Sequence, residues 1–355
     1  MSDLSEGAPE SDRREGCPHP RETLRLVGHR EAEQALLSAY RSDRMHHAWL
    51  ISGAEGVGKA TLAYRLARFV LAHPDPAGPA VQGAVDLAIA PDHPAARRVA
   101  RLSHSDLLVL RRGWNADRKG FFGEIRVDDV RRTASFFGST AGEGGWRVCV
   151  VDTADDMNGA AANALLKALE EPPPRALFLL LSAAPRALPA PVRSRCRSLR
   201  LAPLSDRQTL DVLQGLPELA DEHEMEALAT AAELAEGSVA RALSLLASDG
   251  AALRATVSGL LDRLPAVDVR AAHALAEDLG RRGAEARFAV FVALVGDWLH
   301  ARVAAGAALR EPRLARFAEL WEKTARSARE IEVFNLDRRP FVLETLTELA
   351  GLARR

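Results

Sequence analysis

Cysteine is scarce in this sequence: Cys17, Cys149 and Cys196 lie far apart and are odd in number. That pattern excludes a disulfide framework and a four-cysteine zinc site, and it fits a reducing compartment, so a cytoplasmic protein without zinc is expected. Excess charge is missing too. Lys and Arg total 47 against 48 Asp and Glu, a formal net charge of -1, so no overall basic field draws the chain onto nucleic acid. Aromatic residues make up only 5%, with two tyrosines, and they are not interleaved with basic residues along a stripe. A free-standing module for single-stranded nucleic acid is disfavoured on that ground. The longest apolar run, Phe288 to Val295, falls far short of the roughly 20 residues a membrane helix needs. Residues 1 to 23 carry Asp, Glu, Arg, Ser and Pro around no apolar run, so they are neither signal peptide nor anchor and read as a disordered tail.

What is present is enough for a sizeable core. At 355 residues, 47% hydrophobic and 27% charged, the chain has room for two or three domains. Short apolar runs at Trp49 to Ile51, Leu107 to Leu110, Val148 to Val151 and Leu177 to Leu181 alternate with helical patterns. Such alternation predicts an α/β domain, a parallel sheet flanked by helices. Pro74, Pro76, Pro79, Pro91 and Pro94 interrupt any long helix and mark an excursion from the sheet. From about Leu204 helical spacing takes over, as in Leu210 and Leu213 and then Leu243 and Leu246, and the Ala/Leu/Arg-rich end reads as a helical bundle. We place the α/β domain at 24–203, a small helical lid at 204–248 and an all-α domain at 249–355.

The strongest local feature is Gly53-Ala54-Glu55-Gly56-Val57-Gly58-Lys59-Ala60-Thr61, set between the strand His47 to Ser52 and a helix with Leu62, Leu66, Phe69 and Val70 on one face. A phosphate cradle needs this order. Glycines let backbone N–H groups approach the phosphate, the helix N-terminus adds positive potential, and the lysine reaches the terminal phosphates. Where a Ser or Thr hydroxyl normally holds Mg²⁺ stands Ala60, and Thr61, one place further, points elsewhere on the helix. Two readings stay open: a loop that holds ATP or ADP, and a degenerate loop that keeps its fold and holds no nucleotide.

A second strand, Arg147 to Asp152, ends in a carboxylate at the position of a P-loop protein's metal-binding aspartate. The next residue, Thr153, cannot act as a base. Asp155 and Asp156 lie close enough to be considered as substitutes, against the simpler reading of a solvated turn and helix cap. Without the Mg²⁺ hydroxyl and the base, hydrolysis by the chain alone is expected to be slow or absent. Downstream, Asn163 to Pro173 is an amphipathic helix with Ala162, Leu165, Leu166 and Leu169 on one face, stopped by prolines. After the strand Ala176 to Ser182 comes Pro191-Val192-Arg193-Ser194-Arg195-Cys196. Arginine forks onto phosphate oxygens, so a residue there can stabilise transition-state charge in its own site or a neighbour's; a surface salt bridge is the plainer alternative. Arg111, Arg112, Arg118 and Lys119 read as a solvated loop, and His73, His93 and His104 as surface histidines without metal-ligand spacing.

The pairing of Ala164-Leu165-Leu166-Lys167-Ala168-Leu169-Glu170-Glu171-Pro172-Pro173 with Val192-Arg193-Ser194-Arg195-Cys196 resembles the clamp-loader AAA+ family of DNA polymerase III. The likeness runs from Leu26-Val27-Gly28-His29 through the P-loop to Asn335-Leu336-Asp337-Arg338. It implies a RecA-like AAA+ domain, a helical lid and a helical collar used for oligomerisation. It further implies that Arg195, between Ser194 and Cys196, acts in trans as an arginine finger on a neighbour's ATP. Ala60 and Thr153 depart from the motor pattern and point to the delta-prime branch, and so does Gly237-Ser238-Val239-Ala240-Arg241, whose sensor-2-like Arg241 stands four places after the glycine instead of three. One residue turns a helix by about 100°, so the side chain faces differently. On this resemblance Gly53, Gly56, Gly58, Lys59, Thr61 and Asp152 would hold ATP or ADP without turnover. The partners it implies are the gamma/tau motor subunits and the delta subunit, with the sliding clamp and primed DNA reached through the complex and no membrane involved. Rival readings are an active gamma/tau-like ATPase using Thr61 and Asp155, and a small P-loop kinase, which leaves Arg195 and the helical C-terminal part without a role.

Overall fold

The computed structural model describes residues 9–14, 17–117, 120–138, 142, 145–247, 250–281, 284, 287, 288, 290–296, 298, 299, 302, 314–334 and 336–354. Of the residues singled out above, Arg118, Lys119 and Asn335 fall outside them. The described chain divides into two compact units, 1–219 with 236–239, and 220–235 with 240–355.

The first unit is built on five strands. They are β1 (Ala48–Ser52), β2 (Leu107–Leu110), β5 (Arg147–Val151), β6 (Ala176–Ser182) and β7 (Arg197–Arg200), with a two-residue hairpin, β3 (Trp114–Asn115) and β4 (Gly120–Phe121), standing apart. The order is β2-β5-β6-β1-β7, and every pairing is parallel. Parallel strands need crossovers, so their helices cover both faces and the central strands become apolar on both sides. The period-2 alternation then sorts them. Trp49, Ile51, Val148, Val150, Leu177 and Leu179 face one core with α1 (Arg30–Arg41) and α2 (Lys59–Ala72). Leu50, Cys149, Val151, Phe178 and Leu180 face another with α5 (Val127–Gly138), α6 (Gly159–Glu170) and α7 (Ala190–Ser194). This is the parallel sheet flanked by helices that the sequence predicts, with the P-loop leaving β1 and helices on either face. The proline-rich excursion holds two short helices, α3 (Pro79–Gln82) and α4 (Pro94–Ala100), each started by a proline at its first position.

α2 is not left with a loose outer face: all of Leu62 to Leu71 is buried, Arg65 and Arg68 included. The charge is accommodated because Arg68 donates to the carbonyls of Arg21 at 2.8 Å and Thr23 at 2.6 Å while Arg65 pairs with Glu33. Nor do residues 9–14 and 17–23 form a loose tail. His19 is fully buried and Arg21 nearly so, Arg21 donating to the Ala100 carbonyl at 2.8 Å. Mixed charge suggests disorder only while it stays solvated, and here it is matched by arginines of the sheet and of α2.

The second unit is helical. The helix Val269–Leu279 packs on a C-terminal helix, Arg338–Arg354, which also lies along the long helix Leu314–Phe334. Phe288, Phe291, Phe341, Leu346 and Leu349 are buried there, with Phe288 edge-on to Phe341 at 5.4 Å between ring centroids. No described helix is long and apolar enough to cross a membrane.

Candidate functional site

The P-loop occupies the turn from β1 into α2. Gly58 caps α2 with φ +103°, a conformation that a side chain resists. At Gly53 a Cβ would come within 2.8 Å of the Leu201 carbonyl oxygen, so a neighbouring backbone strand takes the space a side chain would need. Lys59 Nζ donates to the carbonyls of Gly53 at 2.9 Å and Ala54 at 2.8 Å, folding over its own loop. The outer edge is braced by Ser238, whose hydroxyl donates to the Glu55 carbonyl at 2.7 Å, and by the Val239 amide, which donates to the Gly56 carbonyl at 3.0 Å. His29, left-handed at φ 55° before α1, meets the Val57 carbonyl through Nε2 at 2.6 Å. The glycines and lysine thus fit a phosphate chain in both backbone shape and charge.

The metal end fits less well. Asp152 follows β5, its amide donating to the Leu110 carbonyl at 2.8 Å. Burial and then the nearby charge of Asp12 push its carboxyl up to about 7, against the pull of Thr153, Lys59 and Arg111. Ala60 offers no hydroxyl to share in holding a divalent cation. Asp155 is no free base, because it accepts from Ser182 Oγ at 2.5 Å and from the amides of Ala183 at 2.6 Å and Ala184 at 3.2 Å. It fastens the end of β6, neither solvated nor capping a helix. Asp156 pairs with Arg112 at 3.0 Å.

Arg195 sits just after α7, away from the P-loop in sequence and held by its own chain. Its guanidinium meets Glu170 of α6 at 2.7 Å and donates to the Pro191 carbonyl at 3.0 Å, with 34% of the side chain still exposed. The Ser194 hydroxyl donates to the same carbonyl at 3.0 Å. Burial pushes the Cys196 thiol up to about 12, which leaves it no nucleophilic role. Arg241 lies on the helix Val239–Ala247 in the second unit.

Sequence reasoning missed the N-terminal acids and misread two basic residues. Arg111, expected in a solvated loop, is largely enclosed between Glu10 and Asp12 at 2.7 Å each. His104, expected at the surface, is buried, its Nδ1 accepting from the Asp106 amide at 3.2 Å. Arg111 depends on partners distant in the chain, which local pattern cannot disclose.

Residues 28–205, half of the chain, match the family described as DNA polymerase III, delta subunit. The chain belongs to that family. Among its relatives, the DNA polymerase III subunit delta' of Escherichia coli strain K12 is 33% identical over 225 residues, 63% of this chain and 61% of that protein. The subunit delta' of Pseudomonas aeruginosa is 36% identical over 165 residues, 46% of each. The subunit tau of E. coli strain K12 is 29% identical over 245 residues, 67% of this chain and 35% of that protein. The chain therefore spans less than two thirds of the length of these relatives.

Proposed function

We propose that this chain is a non-motor, delta-prime-like subunit of the DNA polymerase III clamp loader, lending Arg195 to the ATPase site of a neighbouring gamma/tau subunit. The observation that carries the reading is Arg195 itself: a part-exposed guanidinium beside the turn after α7, tethered among the described residues by a half-exposed carboxylate and one carbonyl. An ion pair this solvated is worth on the order of 0–1 kcal/mol, so a partner's phosphate can replace Glu170 at little cost. The chain's own chemistry is deficient: Ala60 offers no hydroxyl, Thr153 no base, and the lone pairs of Asp155 are taken by the end of β6. Its P-loop would hold ADP or ATP as a structural ligand, stiffening the fold by linkage and turning nothing over. With the delta subunit it would complete an assembly that opens the sliding clamp on primed DNA, in the cytoplasm.

DNA-stimulated ATP hydrolysis by a reconstituted loader tests this. The chain assayed alone should be inert, and Arg195→Ala should cut the assembly's rate by about tenfold or more, as expected when a charge-stabilising arginine is withdrawn. Turnover by the lone chain would replace the proposal with an active ATPase, and an unchanged assembly rate would leave Arg195 a surface salt bridge.

A further inference from the structure

The N-terminal stretch crosses the metal-binding end of the P-loop, and we propose that residues 10–14 are a strap over this chain's own nucleotide site, so that a magnesium-bound nucleoside di- or triphosphate enters only when the strap leaves. The inference rests on the reading of the P-loop as a nucleotide site. Three separate anchors define the strap. Arg14 pairs with the carboxylate of Glu55, inside the loop. Glu10 and Asp12 each hold Arg111 at 2.7 Å. Arg111 directly follows Leu110, whose carbonyl receives the Asp152 amide at 2.8 Å, so the strap passes over the strand ends where a metal-bound phosphate must lie. Behind it, Asp12 meets His19 Nε2 at 3.1 Å, and the His19 ring stands edge-on to Tyr64 of α2 at 5.9 Å. Arg21 adds a contact of 2.8 Å to Glu10.

Electrostatics turns this cover into a competitor. Asp12 is 4% exposed and places a carboxylate near Asp152, where an incoming phosphate and its cation would have to settle. An incoming polyanion meets that carboxylate directly. The acids are not themselves a metal cradle, since Arg111, Arg21 and His19 already occupy their oxygens. The two arms differ in strength. Arg14 and Glu55 are well exposed and part readily, whereas the Arg111 arm is nearly dry and holds.

The test compares the full chain, a chain lacking residues 1–16, and the full-length double substitution Glu10→Gln with Asp12→Asn, which keeps the backbone in place should truncation impair folding. Each is titrated with fluorescently labelled ADP in Mg²⁺, and amide hydrogen exchange is followed over residues 53–58. Both altered chains should bind ADP at least about tenfold more tightly than wild type, a repulsion of the size one buried charge exerts, and their loop amides should exchange faster. Equal affinity across the three would overturn the strap, and so would unchanged exchange. If no chain binds ADP while loop exchange rises in the altered chains, the nucleotide reading is what fails and the gate falls with it, leaving only a cover over the loop.

Discussion

Asp152 concentrates the electrostatics of the site in one group. Burial raises its carboxyl from an ordinary 3.8 to about 7, with Asp12 adding to the shift. The folded chain then binds this proton more tightly than the unfolded chain does, so the group costs nothing below about pH 4 and destabilises progressively as pH rises towards 7. Ionising it fully costs on the order of 4 kcal/mol, and Asn at the same place would remove the titration without changing the shape. The melting temperature of Asp152→Asn should therefore match the pH trend of wild type poorly: the difference between them grows from pH 4 to pH 7 in favour of the variant and levels off above. A difference that stays flat from pH 4 to pH 8 would mean Asp152 ionises freely. Lys59, Asp152 and Arg195 could be singled out in the sequence because each sits in a local motif, and the structure places them at a helix start, a strand end and a helix end. Asp12 and Arg14 could not, because their meaning comes from Arg111 and Glu55, which are far away along the chain.

Among the elements, β1, β5 and β6 were plain in the sequence, since strands buried on both faces read as unbroken apolar runs, and the half-buried edge strand β2 is an apolar run too. β7 was not: Arg197–Arg200 lies at the sheet edge, mostly exposed, and owes its place to pairing with β1 rather than to hydrophobicity. The same dependence on partners explains how α2 buries its two arginines. Arg68 is 1% exposed, burial lowers its guanidinium to about 10, and its two donors serve the carbonyls of Arg21 and Thr23. Arg68→Leu keeps the apolar stem and strands both carbonyls, so a loss of roughly 2–4 kcal/mol is expected in urea unfolding. Arg131→Ala, which removes an exposed pair with Asp128 on α5, should change stability by about 0.5 kcal/mol or less. Equal effects of the two substitutions would show that the Arg68 contacts contribute nothing.

For the molecule as a whole, charge decides what the chain can do without partners. Its formal net charge is -1, and the arginines nearest the candidate site are occupied at home: Arg111 by Glu10 and Asp12, Arg112 by Asp156, Arg195 by Glu170. Non-specific DNA affinity comes from releasing counterions with unpaired cations, and proteins that do so reach dissociation constants of about 10⁻⁴ to 10⁻⁶ M. A cation already held in an ion pair has to break it for the phosphate it takes, which cancels most of that gain. The isolated chain should therefore leave the anisotropy of a labelled primer-template unchanged up to about 10 µM at physiological ionic strength, a concentration inside the range where basic proteins bind without specificity. Binding in that range with a steep dependence on salt would reveal a basic surface that this distribution of ion pairs does not provide, and it would make the lone chain, rather than its assembly, the element that finds DNA.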